Sequence, residues 1–200
     1  PYTHGDYLDG VKDTVEELNP IMDGAKIGLV VPSYVEIDSV DEINENADKF
    51  SGRIVGIDPG AGLMAATEEA LIAYGLDNIE LVEGSDSIMT AVLDDEINRG
   101  NWVVVTGWAP HWKFARYDLK FLDDPKGIFG GEEYVAAIVR EGLKEDMPDA
   151  YEFLNNFYWT PEQLAEILVW NEEPNADPYE TAKRWVNENR NIVDKWKPGA

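Results

Sequence analysis

Residues 53 to 106 constrain the fold most, because short apolar runs and amphipathic stretches alternate there with a turn residue at nearly every junction. "GRIVGID" reads as a strand, the segment from Leu63 to Tyr74 as an amphipathic helix, and "IELVEG" as a second strand. "SDSIMTAVLDDEINRG" follows as a helix with Ser85 near its N-cap and Gly100 past its end, and "NWVVVTGW" closes the series as a third strand. Strands that are apolar on both faces and alternate with helices predict a parallel sheet covered by helices, hence an α/β class. The place to look for a ligand is then the carboxyl edge, which all parallel strands share.

The flanking segments are read in the same way. "GDYLDGVKDTVEELN" has helical apolar spacing, with Asp6 as a cap, and predicts a helix stopping at Asn19-Pro20. "AKIGLVVPSYV" predicts a buried strand that ends near Pro32, and "SVDE" at 39 to 42 is a capping box for a short helix. Beyond Trp112 the texture changes. "LKFLDDP" predicts one returning strand, and the rest reads as helix at about 131 to 145, 148 to 156, 160 to 170, and twice within 178 to 197. "TPEQ" at 160 to 163 joins a capping Thr, a first-turn Pro and a capping-box Gln. The expected division is one lobe from 1–52 and 113–200, helical in its C-terminal part, and a second from 53–112.

Composition removes several functions. Two hundred residues, 44% hydrophobic, suffice for a buried core. Forty acidic residues against 16 basic ones give a formal charge of -24, which repels nucleic-acid phosphates and anionic membrane surfaces. Such a surface is either simply solvated or suited to high salt, where the repulsion is screened. The absence of cysteine removes disulfides, thiolate metal sites and a cysteine nucleophile. No run of about 18 apolar residues predicts a membrane span, and no signal-type leader opens the sequence. His4 and His111 are the only histidines and form no metal-ligand spacing. Acidic pairs such as those in "LDDP" and "LDDE" are too common here to indicate glycosidase or metal chemistry. Neither a G-x-S-x-G elbow nor S-x-x-K occurs, and no P-loop lysine follows the glycines.

Two stretches remain as site candidates. In "GIDPGAGLMA" a strand passes into a helix, and glycines at 60 and 62 would let the chain turn tightly and aim free amides outward, a geometry that binds carboxylates or phosphates. The same residues satisfy G-x-G-x-x-A, with Glu83 about 20 residues on, so a dinucleotide site is an alternative, as is a purely structural turn. "TGWAPHW" ends its strand on the same edge and brings Trp108 towards the Gly62 helix terminus. An indole face attracts a cation that it cannot hydrogen-bond. Beside a carboxylate-binding helix end it implies a small zwitterion with a bulky cationic head; otherwise Trp108 and Trp112 are core residues.

Taken in order, "PYTH", "KIGLVVPSYV", "VGIDPGAGLM", "LVEGSDSIMTAVL", "VVVTGWAPHWKFARYDLKFLDDPKG" and "WTPEQLAEIL" resemble the substrate-binding proteins of ABC-type glycine betaine and proline betaine importers, from Pro1 to about Trp196. The resemblance implies a two-lobed type II periplasmic-binding-protein fold with parallel-sheet lobes, which closes over its ligand. It implies delivery of a betaine to a membrane permease for osmoprotectant uptake, with no chemistry and no cofactor, at a periplasmic or extracellular location. Carried over by motif, Trp108 meets the trimethylammonium head, while the amides of Gly62 and Leu63 together with His4 hold the carboxylate. Trp112 and His111 are left as structural residues. Members of this family carry a further stretch ahead of the "PYTH" equivalent, with a strand and more cage tryptophans. The expectation is therefore an N-terminally incomplete lobe, an incomplete cage, and weak or absent betaine binding by these 200 residues alone. The alternatives are an NAD-dependent oxidoreductase built on "GAGLMA", and a ligand-sensing domain of the same fold.

Overall fold

In the computed structural model, which describes residues 5–199, α1 (Gly5–Val11) leads into β1 (Val15–Pro32), a strand of 18 residues. The expected alternation follows as β2 (Arg53–Val55), α2 (Gly62–Tyr74), β3 (Glu80–Val82), α3 (Asp86–Arg99) and β4 (Val105–Ala109). Then come α4 (Lys113–Arg116), β5 (Leu119–Phe121) and β6 (Glu133–Arg140). The helices α5 (Leu143–Asp146), α6 (Pro148–Asn156), α7 (Pro161–Asn171), α8 (Pro178–Glu188) and α9 (Arg190–Val193) complete the order. The chain divides into two units, one of Lys26–Ala109 with Arg116–Gly131, the other of Pro1–Ala25, Pro110–Ala115 and Glu132–Ala200.

The first unit is built on a sheet of order β3-β2-β4-β1-β5. β2 runs parallel to β3 and β4, as the alternation requires, since each connection carries a helix. The later part of β1 lies antiparallel to both β4 and β5. The sheet is therefore mixed, because β1 runs against the direction of its other strands. Leu29, Val30, Val31, Ile54, Met89, Leu93, Val104 and Val105 are wholly removed from solvent. Each such side chain contributes about 1.5–3 kcal/mol by burial. α3 is held at both ends: the Ser85 hydroxyl accepts from the Ile88 amide at 3.3 Å, and Gly100 takes a left-handed φ of 71°.

The second unit holds the two corrections to the expected elements. The helix expected to reach Asn19 ends at Val11, and residues 15 to 25 pair with β6 through three register shifts. Similarly, the helix expected at 131 to 145 is strand to Arg140, followed only by the short α5. In both segments cross-strand pairing overrides a local apolar spacing that a helix could also satisfy. "EYVAAIV" is also rich in β-branched and aromatic residues. The helices behave as expected. Thr160 accepts from the Gln163 amide at 3.3 Å while the Gln163 side chain accepts from the Thr160 amide at 2.9 Å. They pack around Ile167, Trp185, Val193 and Trp196.

The units do not follow the division expected at residues 52 and 112. Residues 26 to 52 belong with the sheet because β1 pairs with β4 from Lys26 to Val30.

Candidate functional site

The site candidates with described structure lie in the sheet unit, at the carboxyl edge of its three parallel strands. β2 stays beside β4 as far as Val55, opposite Val105, and then leaves for the loop at 56–61. β4 runs four residues further. Its tip is held on the other side by β1, with Thr106 opposite Leu29, Gly107 opposite Gly28, Trp108 opposite Ile27 and Ala109 opposite Lys26. The pleat puts Thr106 and Trp108 on one face and Gly107 on the other. On that second face the ring of Phe121 lies so close to Gly28 that a Cβ there would come within 3.1 Å of it, and the Lys26 ammonium sits 4.2 Å from the ring centroid. Trp108 is half-buried, which leaves part of its indole accessible just beyond the end of β2.

The loop after β2 is fixed by glycines that sequence reasoning did not single out. The Gly56 amide donates to the Val82 carbonyl at 2.8 Å and the Gly84 amide to the Ile57 carbonyl at 3.1 Å, which ties the ends of β2 and β3 together. A Cβ on Gly56 would stand 2.5 Å from Met64 Sδ, the sulfur that accepts from the Ile57 amide at 3.3 Å. By contrast, a Cβ on Gly60 would meet nothing within 4 Å, and neither Gly60 nor Gly62 has a positive φ. The tight-turn role expected at 60 and 62 thus belongs to close approach at Gly56. A glycine at the end of a short strand, facing a helix, was the available signal.

Ala61 caps α2 in extended conformation (φ -76°, ψ 138°), with no side chain bonded to the helix end and no acidic residue in the first turn. The first amides to find an acceptor inside the helix are those of Met64, at 2.9 Å, and Ala65, at 3.3 Å, both to the Ala61 carbonyl. Those of Gly62 and Leu63 have no acceptor among the described residues, so the positive end of α2 is uncompensated. Gly62 is exposed, whereas the Leu63 side chain is buried and anchors the turn. Glu83 is exposed just past β3. A helix end of this kind attracts an anion, and an indole beside it attracts a cation.

The remaining predicted residues fall elsewhere. His4 lies outside the described residues. His111 and Trp112 belong to the other unit, where the His111 Nδ1 accepts from the Lys113 amide at 3.1 Å and the two rings are 5.4 Å apart. Lys113 is fully buried, which nothing in the sequence signalled. Among the described residues no cluster of three or more His, Asp or Glu could hold a metal, and no helix is long and apolar enough to cross a membrane.

The family model described as the substrate binding domain of ABC-type glycine betaine transport systems matches residues 1–188. The chain is 45% identical over 154 residues to the glycine betaine/carnitine transport binding protein GbuC of Listeria monocytogenes, a match covering 76% of this chain and 51% of that protein. The chain thus spans about half the length of this curated relative. Among solved structures, the glycine betaine/L-proline-binding protein ProX of Borrelia burgdorferi has a TM-score of 0.88 at 42% identity, over 100% of this chain and 76% of its own. Lactococcal OpuAC, in its closed conformation with glycine betaine, has a TM-score of 0.87 at 40% identity, over 98% of this chain and 76% of its own. The α/β fold is that of type II periplasmic binding proteins. With this fold, a family match over nearly its whole length and two solved relatives at about 40% identity, the chain belongs to the substrate-binding domains of ABC-type glycine betaine transport systems.

Proposed function

We propose that this chain binds a small quaternary-ammonium zwitterion, glycine betaine or proline betaine, for delivery to the membrane permease of an ABC importer outside the cytoplasm. The observation that carries the reading is the pair of first-turn amides at Gly62 and Leu63 on the same sheet edge as the half-buried Trp108. The indole face holds the trimethylammonium head by cation–π attraction, which a hydrogen bond could not replace because the head has no N–H. The two amides and the positive end of α2 hold the carboxylate. His4 is assigned to the same carboxylate from its place in "PYTH". The protein performs no bond chemistry in this role and needs no cofactor. The family match supports this reading over an NAD-dependent oxidoreductase built on "GAGLMA".

Proline at position 62 tests the carboxylate assignment. The position is the first of α2, where proline fits the helix, and Ala61 already has the extended conformation that a following proline imposes. Gly62→Pro therefore deletes one amide donor and leaves the helix standing. A hydrogen bond to a charged group is worth about 1.5–3 kcal/mol, so glycine betaine affinity should fall at least about tenfold. Choline, which has the same head and no carboxylate, should bind the variant as it binds the parent. Equal losses for both ligands, read by calorimetry or fluorescence titration, would remove Gly62 from the site.

A further inference from the structure

The start of α2 is not fastened in the usual way, because Ala61 at its cap has no side chain that could accept from a first-turn amide. The fastening comes from inside the helix instead. Met64, the third residue of α2, reaches back seven residues, and its Sδ accepts from the Ile57 amide at 3.3 Å. Its side chain is 1% exposed. The same sulfur and the Cε methyl lie over Gly56, where a Cβ would stand 2.5 and 2.6 Å from them. We infer that Met64 is a positioning residue for the carboxylate half of the site. Its thioether ties the first turn of α2 to the end of β2 and so sets where the Gly62 and Leu63 amides point. This role rests on the reading of those two amides as the carboxylate donors.

The residue type follows from what the position has to do. The Gly56 and Ala61 amides at the two ends of the loop find backbone carbonyls, of Val82 at 2.8 Å and Asp58 at 3.0 Å, whereas the Ile57 amide is given a side chain. At the third helical position, glutamate or glutamine commonly reaches back to an amide at the start of the helix. A glutamate there would put a negative charge on the first turn and compete with an anionic ligand for the positive helix end. A thioether sulfur accepts without charge, and α2 has no acidic residue in its first turn. Its unbranched chain also fits the narrow space over Gly56.

Leucine at position 64 would fill a similar volume and offer no acceptor. The buried Ile57 amide would then lack a partner until the loop at 56–61 moved, and the first turn of α2 would move with it. Trp108 is held separately, by the pairing of β4 with β1 from Lys26 to Val30. A change at Met64 therefore acts on the carboxylate half of a ligand and spares the cationic half.

Met64→Leu should keep the circular dichroism spectrum and the choline affinity of the parent. Its glycine betaine affinity should fall by about tenfold, the order of affinity carried by a hydrogen bond to a charged group. Amide hydrogen exchange should show Ile57 losing protection in this variant, with Gly56 less affected. In the parent sequence, selenomethionine keeps the shape and the acceptor, so betaine affinity should stay as it is while the Ile57 amide proton resonance moves. An unmoved Ile57 resonance on selenium substitution, an Ile57 amide as protected in Met64→Leu as in the parent, or equal losses for betaine and choline overturns the role. If the Gly62 and Leu63 amides respond to betaine in the parent and equally in Met64→Leu, the positioning role alone falls. If they ignore betaine in the parent, the carboxylate reading falls and takes this role with it.

Discussion

The tryptophans of the two units make opposite uses of the same side chain. In the helical unit, Trp159, Trp185 and Trp196 stack within 7° of parallel at centroid separations of 5.1, 5.9 and 6.4 Å, with Phe153 and Phe157 against them. Trp185, at 1% exposure, is buried among these rings, and its Nε1 donates to Glu166 at 3.1 Å. In the sheet unit, Trp108 stands at the tip of β4, past the end of β2, and keeps part of its surface exposed. The contrast between Trp185 and Trp108 is one between a ring buried among aromatic neighbours and a ring left half-covered at a strand tip.

The largest expected effect lies on the packing side. Trp185→Ala should cost about 3–5 kcal/mol, as the loss of a fully buried aromatic side chain does, and should lower the denaturant midpoint sharply. Trp108→Ala should reverse the pattern. Its stability loss should stay near 1 kcal/mol in the same experiment, whereas betaine affinity should fall by about 2 kcal/mol, roughly thirtyfold. Similar stability losses in the two variants would break the comparison and return Trp108 to the core. A smaller effect comes from Gly56→Ala, which pushes a methyl group against Met64 and should destabilise by about 1–3 kcal/mol, with betaine affinity falling as the loop shifts.

The smallest effect concerns how the sheet unit is tied at the far end of α2. The Tyr74 hydroxyl donates to Asp124 and accepts from the Lys126 amide at 2.7 Å. Burial first, and then the bond to Asp124, push its pKa up to about 12. The neutral form is thus favoured in the folded state. The stability this gives is fully present below about pH 10, the unfolded value, and is lost as pH rises through about 12. Tyr74→Phe should therefore unfold at a lower temperature than the parent near pH 8, with the gap closing between pH 10 and 12. A gap independent of pH would mean that the hydroxyl contributes nothing through Asp124.

How much of this was legible in the sequence depends on where the interactions reach. The alternation from 53 to 106, the Ser85 and Thr160 caps and the β5 strand could be read because apolar period and capping residues are local. β1 before Asn19 and β6 could not, because each becomes a strand only through the other, more than 100 residues away. The mixed character of the sheet was hidden for the same reason: the direction of β1 is set by β4 and β5. At the site, Trp108 and the start of α2 were legible as a strand tip and a strand-to-helix turn sharing one edge. The need for glycine at 56 was not, since it arises from the approach of Met64.

The central claim is that Trp108 and the amides of Gly62 and Leu63 form one zwitterion site, and nuclear magnetic resonance reads all three directly, even for binding as weak as on the order of 1 mM. Titration with glycine betaine should move the Trp108 indole N–H and the Gly62 and Leu63 backbone amides along a single saturation curve, whereas choline should move the indole resonance alone. Amides that stay in place at saturating betaine, or that shift equally with choline, would contradict it.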